Sequence, residues 1–133
     1  MKKIIHCIVK ILFTLLLVSP ILGALGVFPA PTAEMYTNVE AFEFIQAMMN
    51  SGYLMVFMTI THLLALVALW TKREALAAAL ELPIALNIIG FHAYLDGGIF
   101  KAGAIMGNVL FIIILYIIYV RRSSFTQLFS KNS

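Results

Sequence analysis

The chain has 133 residues, 62% of them hydrophobic and only 11% charged, with a formal net charge of +3 and a mean hydropathy of +1.01. A water-soluble domain carries about 25% charged residues, so this chain lacks the polar surface to cover an apolar interior in water, and lipid is its expected solvent. Its nine basic residues lie between apolar stretches and read as topology signals, not as a nucleic-acid surface. The single cysteine, Cys7, excludes an intrachain disulfide, a CxxC redox pair and a thiolate metal cluster.

Crossing a hydrocarbon core about 30 Å thick takes about 20 mostly apolar residues, and four stretches qualify. The first is predicted over 4–28, opening on Lys2-Lys3, with Lys10 able to extend its ammonium outward. Cys7 lies at its edge, where a small apolar filler is expected. The stretch has the ingredients of a secretory signal: two lysines, an apolar core, and small residues near Ala24 and Ala30. Its apolar run is long, however, Lys10 interrupts its start and Pro31 hinders cleavage after Ala30, so a retained span is expected. Gly23 and Gly26 thin this helix and suggest close helix contact.

The loop that follows contains Glu34, Glu40 and Glu43 and no basic residue. Thr37 and Glu40 have capping-box spacing. At about 100° per residue, Glu40, Glu43, Gln46 and Asn50 fall on one arc, and Ala41, Phe42, Phe44, Ile45, Met48 and Met49 on the other. A short amphipathic helix over 38–50 is predicted, either lying in the membrane interface or packed as a lid over the bundle. Asn50-Ser51-Gly52 ends it.

The remaining spans are predicted over 52–70, 75–95 and 102–120. They are joined by Lys72-Arg73-Glu74 and by a loop with Asp96 and Lys101, and Arg121-Arg122 follow the last. Basic residues mark the cytoplasmic side of short loops, and every loop agrees on one topology: both termini inside, first and third loops outside. The fold class is therefore all-α, a four-helix transmembrane bundle forming a single domain over 1–133, with an interfacial helix between the first two spans. Gly103 and Gly107 form a GxxxG pattern in the fourth span, which marks close packing within the chain or between two copies. The first and fourth spans, nearly pure hydrocarbon, read as lipid-facing or dimerising walls.

Polar chemistry concentrates in the second and third spans. His62 lies about ten residues before the Lys72-Arg73 turn and Glu81 about eight after it, so at about 1.5 Å per residue both sit at similar depth. A His62–Glu81 hydrogen-bonded pair follows, either as glue between helices or as a proton-responsive or ligand-orienting site. Pro83 frees the carbonyl of Ala79 and is expected to kink the helix. His92 shares a face with Glu81, whereas Asn87 is displaced from it by about 120° and needs another partner. His62, Glu81, Asn87 and His92 form the candidate intramembrane polar site. A haem held by His62 and His92 is disfavoured, because their depths differ by about 8 Å. No catalytic residue and no metal-ligand set emerges.

Gly52-Tyr53-Leu54 with Ile60-Thr61-His62-Leu63-Leu64, and above all Pro83-Ile84-x-x-Asn87-Ile88-x-x-Phe91-His92, resemble the DoxX-like family of small bacterial membrane proteins. The match lies mainly in the second and third spans. The resemblance implies a four-helix bundle in the bacterial inner membrane and an accessory role beside protein partners of a redox or envelope-stress system. Quinone is the cofactor it suggests, and a free-standing enzyme is not what it suggests. Where His62 stands, relatives often carry a glutamate, and here the carboxylate appears instead at Glu81. A small proton-coupled transporter and a structural scaffold without ligand are the alternatives. The first span lacks the acidic residue on which drug-extruding four-span proteins depend.

Overall fold

A computed structural model describes residues 1–131 of the chain. They form six α-helices and two single 3₁₀ turns, with no strand among the described residues. Four stretches are long and apolar enough to cross a membrane: Lys2–Ala24 (α1), Tyr53–Trp70 (α3), Glu74–Tyr94 (α4) and Ala102–Val120, the last made of a 3₁₀ turn leading into α5 at Ile105–Val120. The shorter helices are α2, Val39–Asn50, and α6, Arg122–Leu128, which the apolar pattern of the sequence does not announce.

The ends of these helices follow from local chemistry. α1 stops at Ala24 rather than at 28 because Gly26 takes a left-handed φ of 79°. The Val27 N–H then reaches the Leu22 carbonyl and the Gly26 N–H the Gly23 carbonyl, both at 3.0 Å, the paired bonds that close a helix on a left-handed residue. Gly23 and Gly26 thus end the helix; neither makes the helix–helix contact expected of them, since Gly23 has only Phe28 near it and Gly26 faces open space. Gly52, φ 72°, separates α2 from α3 as predicted. The capping box of Thr37 and Glu40 does not form. The Thr37 N–H is taken by Asp96, 59 residues away, and Asn38 precedes the helix without a side-chain cap, its amide donating to the Leu95 carbonyl.

Helix α3 packs between α1 and α4, α4 packs on α5, and α5 closes the ring against α1. The core is complementary in size. Ala77, Ala78 and Ala85 of α4 and Ala65 and Ala68 of α3 leave room that Leu110, Ile113, Ile114 and Ile117 of α5 fill, together with Phe13 and Leu17 of α1. The first and last long helices are therefore not mere walls; α5 supplies much of the core bulk. Gly107 is buried against α4 of the same chain, and a Cβ there would collide with the Ile88 side chain. Gly103 faces His92 and Asp96, so both glycines serve the α4–α5 contact. Cys7 is exposed on α1 and fills no gap. Large apolar side chains such as Ile8, Leu15, Phe57, Val67 and Ile112 line the outward faces.

Lys2, Lys3, Lys10, Lys72, Arg73, Arg121 and Arg122 collect at one end, hereafter the basic end. The opposite end holds α2, whose Ala41 is buried while Glu40, Glu43, Gln46 and Asn50 are exposed, the polar arc expected of it. Aromatic contacts hold the α2 region to α4: Phe44 lies 5.8 Å and Tyr36 6.1 Å from Phe91, between ring centroids.

Candidate functional site

All three histidines of the chain face a carboxylate, and all three carboxylates lie on α4 or just beyond it. At the basic end, Glu74 Oε1 lies 3.0 Å from His6 Nε2 and 3.4 Å from Lys10 Nζ, and Arg121 Nε donates to Oε2 at 2.9 Å. Helices α1, α4 and α5 are tied there through one acid. Beside them the Trp70 indole N–H donates to Thr14 Oγ1 at 2.9 Å, and the Lys10 ammonium sits 4.7 Å above the Trp70 ring. Sequence reasoning missed this cluster. The available signal was the i,i+4 spacing of His6 and Lys10, which puts a titratable group and a cation on one helix face.

The central pair is the one expected. The turn between α3 and α4 is tight: Lys72 takes a φ of 62° and the Arg73 N–H reaches back to the Ala68 carbonyl at 2.8 Å. The helices therefore run antiparallel from a common origin, and His62 Nδ1 meets Glu81 Oε1 at 2.9 Å. The pair is nearly sealed, with His62 4% and Glu81 0% exposed. Glu81 Oε2 is also buried and has no hydrogen-bond partner among the described residues. A buried polar atom left in that state costs about 1–3 kcal/mol.

At the opposite end, Asp96 accepts from the Thr37 N–H at 2.7 Å and from Lys101 Nζ at 3.1 Å, and its second oxygen lies 3.1 Å from His92 Nδ1. The Lys101 ammonium also bonds the Thr37 hydroxyl, and Asn38 Nδ2 donates to the Leu95 carbonyl at 2.8 Å. Gly97, φ 82°, lets the loop lie close to Thr37, whose Oγ1 is 3.0 Å from where a Cβ would stand. Burial opposes ionisation of Asp96, but the Thr37 N–H, the Lys101 ammonium and the His92 ring outweigh it and hold the carboxyl below the usual aspartate range. Burial, with the Asp96 charge, pushes the Tyr36 phenol up.

The four residues singled out from sequence thus divide. His62 and Glu81 are together, whereas His92 belongs with Asp96, which the sequence did not flag as its partner. Asn87 is exposed, and its Nδ2 donates to the Pro83 carbonyl at 2.9 Å within its own helix, which runs unbroken through the proline. Each of the two inner histidines is engaged by its own carboxylate, and no cluster of three or more His, Cys, Asp or Glu able to hold a metal occurs among the described residues.

Asn87, His92 and Asp96 converge on one feature. Between α2, α3 and α4 opens a groove of about 1210 Å³, walled by Phe44, Ile45, Met48, Leu54, Phe57 and Met58 and polar chiefly along Thr61, Asn87, His92 and Asp96. Small-molecule sites combine such apolar walls with a few placed polar groups. His62 and Glu81 do not line it, but their chain neighbours Thr61 and Pro83 do. Compared with protein-family profiles, curated proteins and solved structures, the chain matches none.

Proposed function

We propose that this chain is a multi-pass protein of the bacterial inner membrane, DoxX-like in plan, which holds a quinone-class amphiphile in the groove beneath α2 as an accessory subunit of a redox or envelope-stress system. The observation that carries this reading is the groove itself: an apolar trough of about 1210 Å³ with a few hydrogen-bonding groups, Thr61, Asn87, His92 and Asp96, along its wall. An Asn87 amide or a His92 ring suits the carbonyl oxygens of such a ring, and Phe44, Phe57 and Met58 suit its faces and tail.

The membrane setting draws on four apolar helices and on the exposed hydrocarbon of their outward faces. A monomer in water rarely exposes apolar patches of that extent. Both termini belong on the cytoplasmic side, since the basic end carries seven Lys and Arg side chains, whereas the segments at the other end have Lys101 alone among their basic residues. In that frame α2 is the interfacial helix, its glutamates toward water and its Phe44 and Ile45 toward the groove.

The test is to purify the full chain in native-lipid nanodiscs and quantify quinone in the extract by mass spectrometry, against an unrelated four-span protein prepared identically. Enrichment in the wild type that falls in Asn87→Leu and His92→Phe is the expected result. Quinone at the level of the control protein would remove the reading.

A further inference from the structure

The buried His62–Glu81 pair has no part in the groove wall, yet it is built into the two helices that form that wall. His62 follows Thr61 on α3, and Glu81 precedes Pro83 and Ile84 on α4, all three of these neighbours lining the groove. Pro83 supplies no N–H to the Ala79 carbonyl, so α4 has its weakest internal bonding beside Glu81. The single direct polar bond between α3 and α4 at this depth is the 2.9 Å contact of His62 Nδ1 with Glu81 Oε1. Pressure on either wall acts on that bond.

We propose that Glu81 is an internal proton-binding site whose loading is linked to occupancy of the groove. The inference rests on the groove being a ligand site, and it adds what the ligand exchanges with: one proton. With Nε2 protonated and a second proton shared between Nδ1 and Oε1 the pair carries no net charge; with only one of these two protons the pair is an anion sealed from water. Among the described residues no other ionisable group contacts that pair. The buried residues of α1 are Phe13 and Leu17, and those of α5 are Gly107, Leu110, Ile113, Ile114 and Ile117. Of the titratable groups of α1, His6 and Lys10 are bound to Glu74, with Tyr116 of α5 beside His6, while Lys2, Lys3 and Cys7 are exposed. On α4 itself the nearest titratable groups are Glu74, seven residues before Glu81, and His92, eleven after. On α3, Tyr53 lies at the far end, nine residues from His62.

The free Oε2 atom makes the anionic form the least supported state of the site, because half of its charge has no donor. An apolar molecule seated against Thr61, Pro83 and Ile84 excludes water from the adjoining wall and raises the cost of that charge further. Ligand binding therefore draws a proton from solvent onto the pair wherever the empty protein has lost it. By linkage, binding weakens as pH rises, by at most about tenfold per pH unit for one proton.

The experiment uses the full chain in nanodiscs and a decyl-tailed benzoquinone as probe. Its affinity is measured from about pH 5 to pH 10, a range that brackets ordinary His titration. In the wild type the dissociation constant is expected to climb on the alkaline side with a slope approaching one. In Glu81→Gln it stays flat there while binding persists. Should Glu81→Gln fail to fold, the double variant His62→Leu with Glu81→Leu fills the same space without charge and gives the same flat profile. A flat wild-type profile overturns the inference and leaves the groove reading intact. A slope that survives in both variants places the proton on another group of the groove wall, His92–Asp96 or Tyr36, and overturns it equally. No probe binding removes both readings. Independently of any ligand, infrared spectra of the wild type should show a buried carboxylic-acid band that Glu81→Gln lacks; its absence also overturns the proposal.

Discussion

The two ends of α4 and its middle handle the same problem, a buried carboxylate, in opposite ways. Glu74 at one end and Asp96 at the other each gather three partners, all remote in sequence for Glu74 and one of them, Thr37, remote for Asp96. Glu81 between them has one partner and one oxygen left over. A carboxylate saturated with donors is a fixed anion that cross-links elements, and a carboxylate with a spare oxygen in a sealed site is a switchable one. If Glu81 binds a proton as proposed, the ends serve assembly and the centre serves exchange.

The sharpest way to break this comparison is Asp96→Ala. It strands the Thr37 N–H and the Lys101 ammonium and unties the loop before α5 from the segment before α2, so a loss of about 3 kcal/mol in unfolding free energy is expected in detergent. The same residue predicts a pH dependence. Its folded pKa lies below the unfolded value of about 3.9, so its stabilisation is present above that value and is lost as pH falls through and below it. Melting curves of the wild type should steepen their decline below about pH 4, and Asp96→Asn should flatten that part of the profile.

Glu74→Ala comes next, with an expected loss of about 2 kcal/mol. Arg121 is about half exposed, its side chain 47% accessible, so part of its charge is answered by solvent. Raised salt should lessen this loss more than that of Asp96→Ala, because the Lys101 partner of Asp96 is the less accessible. The smallest stability effect belongs to the centre. The double change of His62 and Glu81 to Leu should move the unfolding free energy by no more than about 1 kcal/mol in either direction, since replacing both members of a buried pair by apolar groups is near neutral. A large loss there would make the central pair a third fastening and erase the distinction.

Much of this was legible before any coordinates. Runs of apolar residues bounded by charges located the four long helices within a few residues, and equal distance from Lys72-Arg73 brought His62 to Glu81. What stayed hidden depends on contacts between segments remote in sequence. Thr37 looks like a helix cap beside Glu40, and nothing local says that its N–H belongs to Asp96. His6 and Arg121 are separated from Glu74 by 68 and 47 residues, so their meeting required the ring of helices to be closed first. The inward face of α5 was illegible for a different reason: Ile-Ile-Ile-Leu over 112–115 is equally apolar all round, and periodicity cannot choose a side where every side is alike. Asn87 misled in the other direction, its polarity being answered by Pro83 one turn earlier.

The three-residue turn at Thr71-Lys72-Arg73 also bears on how the chain enters a bilayer during synthesis. An isolated ionisable side chain carried to mid-membrane costs about 2.5–3.5 kcal/mol on insertion scales, and His62 emerges from the ribosome nineteen residues ahead of its partner. Because the turn is short and its bonds are local, α3 and α4 can leave the translocon as one hairpin with imidazole and carboxyl already joined. The two polar groups then cross the interface as one hydrogen-bonded pair, and the helices that complete the ring, including the late-arriving α5, meet a surface whose awkward chemistry has already been hidden.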